Sequence, residues 1–180
     1  MYMMFILTLL TIVQSFAISL GVGSSTLAIV NFFAAIADGS IDETERRMMG
    51  IVYVVLRIAM LLILLSTLSL IGLTYYTGGS AAISALTYAQ LIALAVLFIN
   101  AALMTAHLVP STFGPAIQAG SWYTLGTLIP LASLGFTAFP LWQFLLAYVT
   151  WLVLAIGIVN GTMAILKARQ DTPHTDASAA

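Results

Sequence analysis

Five runs of apolar residues organise this chain: Met3–Ala37, Met48–Leu73, Ala81–Leu108, Pro115–Leu134 and Pro140–Leu166. A hydrocarbon layer of about 30 Å is crossed by about 20 helical residues, and each run reaches that length. Backbone groups in lipid must be satisfied within their own segment, so each run is expected to be a helix. No succession of short segments alternates with period two, which argues against a β-barrel. The pattern predicts an all-α polytopic membrane bundle of five transmembrane helices, with a long hairpin made by the first two. The fourth run dilutes its oil with Gly120, Gly126 and Pro130.

The joints carry their own chemistry. In "ADGSIDETERR", Gly39 suits the left-handed position after a helix. Ser40 and Glu43 have the spacing of a capping box for the second helix. Asp42 with Arg46, and Glu43 with Arg47, are spaced for ion pairs along its first turn. A calcium loop starting at Asp38 fails, because its sixth position is not glycine and its twelfth is not glutamate. Pro115 fits the first turn of the fourth helix. The division expected is one transmembrane domain, 1–167, followed by a polar, disordered tail, 168–180. The N-terminus lacks a basic region and a small-residue cleavage site, so the first run reads as a retained anchor.

Charge orients the bundle. With five crossings, Arg46 and Arg47 share a side with Lys167 and Arg169, and the opposite side carries no Lys or Arg. The positive-inside rule then sets the N-terminus outside and the C-terminus in the cytoplasm. Four crossings would split these charges. The opposite ends carry Tyr2, Tyr75, Tyr76, Phe139 and Trp142, as an interfacial belt should.

Depth then groups the small and polar residues. About 20 residues inward from the outer ends lie Gly21–Ser25, Arg57, Asn100, the start of the fourth run near Gln118, and Asn160. The stretch "LGVGSSTLAIVNFF" is thus one part of a shared stratum at the cytoplasmic boundary. Gly21, Gly23, Ser24 and Ser25, and the G-x-x-x-G of Gly157 and Gly161, are candidate helix-packing residues. Asn31, Arg57, Asn100, His107, Gln118 and Asn160 are candidates for a cytoplasm-facing polar cavity. The first two helices continue past the stratum with apolar residues such as Phe32, Phe33, Val52 and Val54. Cover for them could come from each other, from the third helix or from a second copy in a homo-oligomer.

Composition narrows the chemistry. Of 180 residues, 62% are hydrophobic and 6% charged, far from the quarter or so usual in soluble domains. The formal net charge of −1 gives no footprint for nucleic acid. The absence of cysteine excludes disulfides, thiolate catalysis and Cys-ligated metals. No Asp or Glu lies before residue 38 or between residues 47 and 170. Carboxylate proton relays and paired-carboxylate hydrolysis therefore have no acid in the spans. Arg57 is the one charge well inside a run, readable as an anion or headgroup site or as a snorkelling anchor. His107, with Met104 nearby, could ligate haem only if a second copy supplied another histidine; otherwise it is a boundary residue. No cofactor and no metal site is expected.

The segments "GVGSSTLAIVNFFAAIADGSIDETE" and "HLVPSTFGPAIQAGSWYTLG", together about a quarter of the chain, resemble parts of small bacterial multi-pass inner-membrane proteins without assigned activity. The shared pattern is a Gly-rich first helix, an F-F pair, a short polar turn and a second long helix. The resemblance implies a bacterial inner-membrane protein and carries over no catalytic residue. Three functions follow for testing: a non-enzymatic structural or accessory protein, a small-solute or anion transporter, and a haem-binding electron carrier using His107.

Overall fold

The computed structural model describes residues 2–38, 42–80, 83–110 and 113–170. They form five helices: α1 (Tyr2–Asp38), α2 (Glu43–Gly78), α3 (Ala85–Thr105), α4 (Gly114–Ser133) and α5 (Leu141–Gln170). At 1.5 Å per residue, α3 and α4 are each about 30 Å long, while α1 and α2 exceed 50 Å. The expected hairpin is therefore real, and it overshoots its neighbours. The disordered-tail expectation for 171–180 lies outside the described residues, and α5 itself runs past the expected boundary at Lys167 to Gln170.

Four helices are long and apolar enough to cross a membrane: α1, α2, α3 and α5. Helix α4 is not among them. Its place in the bundle supplies the reason. It packs against α1, α3 and α5 at once. Ala116, Gln118, Ala119, Ser121, Trp122, Leu125, Leu128 and Ile129 are all buried along it. A helix wrapped by helices has no lipid to satisfy, so its sequence need not be oily all round. The outward faces of α1 and α5 are the reverse, with Phe5, Phe16, Trp142, Leu146 and Val153 exposed. Apolar surface on this scale marks a membrane protein.

Small residues decide how closely α4 sits. A Cβ on Gly21 would stand 2.3 Å from the ring of Trp122, which is fully buried. Gly21 is thus the notch into which the largest core side chain fits. Gly126 receives Val22 of α1 in the same seam. On the other side, the carbonyl of Gly120 accepts the Trp151 indole N–H of α5 at 3.0 Å. Among the described residues, nothing outside their own helix backbone lies within 4 Å of a notional Cβ on Gly23, Gly157 or Gly161. Ser24 and Ser25 are buried.

The helix ends follow local rules, with one correction. The box that starts α2 is Asp42 with Glu45: the Asp42 carboxylate accepts the Glu45 N–H at 2.6 Å, and Glu45 accepts the Asp42 N–H at 3.1 Å. Ser40 and Gly39 lie outside the described residues. The Asp42 carboxylate serves the cap, and among the described residues neither Asp42–Arg46 nor Glu43–Arg47 forms an ion pair. Helix α3 ends in a Schellman motif: Leu108 N–H bonds Leu103 O at 2.9 Å and His107 N–H bonds Met104 O at 3.1 Å. His107 occupies the left-handed position of that motif, with φ 57°. Gly135 does the same after α4, with φ 79°.

Candidate functional site

Hydrogen bonds between helices set the register of the stratum. On α1 and α2, Gln14 Nε2 donates to Thr67 Oγ1 at 3.0 Å. These helices are antiparallel, so ten residues further along α1 and ten back along α2 bring Ser24 level with Arg57. On α3 and α4, Asn100 Nδ2 donates to Gln118 Oε1 at 3.0 Å and to the Gly114 carbonyl at 2.9 Å. Gln118 Nε2 points on to Met60 Sδ of α2, 3.6 Å away. Ser25 and Gln118 both line one small hollow of about 40 Å³, which ties α1 to the same height. On α5, Val159 and Met163 pack against Ala116, so Asn160 lies about one turn from Gln118. These contacts bring Ser24, Ser25, Arg57, Asn100 and Gln118 to similar heights along the bundle, with Asn160 about one turn away.

Height alone does not make a cavity. Asn100 and Gln118 are buried and bonded to each other. Arg57 is exposed, and with Gln118 it lines a cleft of about 250 Å³ whose walls also include Tyr53, Leu56, Met60, Ala101 and Met104. Asn160 is half-buried and donates to its own helix at Ile156 O, 3.0 Å away. Asn31 lies about two turns beyond Ser24, and His107 is exposed about two turns beyond Asn100. Neither Asn31, His107 nor Asn160 lines the cleft. Of six residues proposed for one cavity, the structure brings together Arg57, Gln118 and, behind it, Asn100.

A second polar level went unread. Near the opposite end of the bundle, α1 to α4 enclose a crevice of about 310 Å³. Gln14, Thr67, Thr74, Thr87 and Gln90 line it, and it carries no charged residue. The two amides inside apolar runs, Gln14 and Gln90, were the signal available in the sequence.

Between the two levels the bundle is filled. Ile63, Leu97, Trp122 and Leu125 are at most 2% exposed and belong to one cluster with Ile18 and Met60. Among the described residues, the indole N–H of Trp122 has no hydrogen-bond partner. Such an orphan costs about 1–3 kcal/mol, set against burial of the whole ring. Among the described residues no group of three His, Cys, Asp or Glu could hold a metal ion. No protein-family model, curated protein or solved structure matches this chain.

Proposed function

We propose that the chain is a five-crossing inner-membrane protein, N-terminus outside and C-terminus cytoplasmic, serving as a closed, non-enzymatic structural or accessory bundle. The single observation behind this reading is the filled centre. The inner polar residues spend their hydrogen bonds on one another, and Trp122 with Ile63 and Leu97 occupies the space a conduit would need. Helix α4 crosses with the others: its first turn lies beside Met104 at the end of α3, and Ile129 lines the opposite crevice. Its shelter inside the bundle accounts for its modest hydropathy.

The polar crevice favours a second reading, a small-solute carrier of which this is the closed state. Labelling separates the two. The chain has no cysteine, so single cysteines report cleanly on access. Tyr76→Cys and Phe136→Cys should react with a membrane-impermeant maleimide from outside, and Pro110→Cys, Arg47→Cys and Lys167→Cys only after permeabilisation. Leu97→Cys should stay unlabelled from both sides. Reaction at Phe136 and Pro110 from one side would remove the α4 crossing, and reaction at Leu97 would favour the carrier.

A further inference from the structure

The cleft beside Arg57 combines one cation with an apolar trough. Helix α2 leans on α1 along its length and meets α3 only sparsely, which leaves the trough between α2, α3 and α4. Leu56, Met60, Ala101 and Met104 form its apolar walls, and Thr105 and Gln118 add neutral hydrogen-bonding groups. Arg57 has no ion pair among the described residues. The nearest acid before it in sequence, Glu45, is about 18 Å away along the helix, and the next after it is Asp171. The apolar stretch around Arg57 holds no acid, so an anion seated on it would come from elsewhere. Guanidinium groups bind phosphate in bidentate fashion.

We infer that this cleft is a binding site for an anionic phospholipid of the cytoplasmic leaflet. The phosphate sits on Arg57, and the upper part of one acyl chain lies along Leu56, Met60, Ala101 and Met104. A free inorganic anion would gain nothing from those four walls. A snorkelling arginine would need no trough beside it. The larger groove between α4 and α5, lined by Phe144, Tyr148 and Trp151, carries no charge and selects no such ligand. The site rests on the proposed orientation, which puts Arg57 near the headgroups of that leaflet.

The test is lipid retention by the full-length protein in detergent, read by native mass spectrometry with dioleoyl phosphatidylglycerol and dioleoyl phosphatidylcholine. The wild-type chain should hold phosphatidylglycerol about fivefold more tightly, the value of one basic residue near an anionic lipid. Arg57→Gln should abolish that preference. Ala101→Phe, which fills the trough, should weaken both lipids, and exposed Thr105→Phe provides the same block at the cleft's edge should the first variant fail to fold. Equal retention of the two lipids by the wild type overturns the site. So does full retention in both trough-filling variants, which would leave Arg57 a simple anchor. Displacement of the lipid by millimolar glycerol 3-phosphate would identify a free-anion site instead. Cysteine labelling does not depend on these variants, so a wild-type chain with no lipid preference but the expected labelling overturns the site and leaves the topology standing.

Discussion

The two polar levels of this bundle lie on the same helices and are built on opposite terms. At the inner level, Asn100 and Gln118 are bonded side chain to side chain across α3 and α4, and Asn100 also takes the Gly114 carbonyl. At the outer level, Gln14 makes a bond to Thr67, but that bond sits at the wall of a crevice. The Asn100–Gln118 pair is a fastener, because each is buried and the loss of one leaves the other without its side-chain partner. At the outer level Gln14 and Thr67 are buried too, but they line a crevice of about 310 Å³, large enough for water to replace what a mutation removes. Trp122, seated on Gly21, keeps the two apart.

The largest effect should therefore come from the seat of Trp122. Gly21→Ala puts a methyl group where the indole ring now lies. Overpacking of a filled core costs about 3 kcal/mol at the upper end, and here the displaced group holds α1 to α4. A marked fall in Tm in detergent is the expected readout. Trp122→Leu vacates the seat, so Gly21→Ala should cost clearly less in that background, with a coupling of about 1–3 kcal/mol. An unchanged cost would mean that Trp122 is not what Gly21 makes room for.

Next in size is the difference between the levels. Asn100→Leu strands the Gln118 side-chain carbonyl and removes the extra bond to the Gly114 carbonyl, and should cost about 2 kcal/mol. Gln14→Leu leaves Thr67 free to bond its own helix or water, and should cost about 0.5 kcal/mol. The check is chemical or thermal unfolding of both variants under one set of conditions. Equal losses would erase the distinction between fastener and crevice.

How much of this was legible follows from the same contrast. Five helices could be read because each apolar run is at least about 20 residues long and is bounded by polar, Gly or Pro residues. The inner stratum could be read because its members are rare types: one arginine, two asparagines and a glutamine amid oil, each a fixed count from an outer end. Apart from Gln14 and Gln90, the polar lining of the outer crevice is Thr and Ser, and these give no such signal. Thr8, Ser15, Thr26 and Thr150 all bond the carbonyl four residues back, the ordinary use of a hydroxyl in an apolar helix, and so does Thr11, which lines the crevice. Nothing local tells those from the threonines that face the crevice. The α2 cap moved from Ser40 to Asp42 because both positions offer an oxygen three residues before a glutamate, and boundaries of this kind shift by one or two residues. Gly21 could be recognised as small, but its partner lies on a helix placed beside it only by folding.

The smallest expected effect is the most discriminating one for the glycine stretch. Gly23 is two residues from Gly21, on the same helix and in the same apolar run, and a sequence pattern gives them one role. In the bundle they face opposite ways: Gly21 is buried against Trp122, while Gly23 is exposed with no atom within 4 Å of a notional Cβ. Gly23→Ala should then leave stability unchanged or raise it by up to about 1 kcal/mol, the helix-propensity gain of alanine over glycine. Melting of Gly21→Ala and Gly23→Ala side by side reads this directly. A loss at Gly23 as large as that at Gly21 would show that its open face meets something beyond this chain, such as a helix of a second copy.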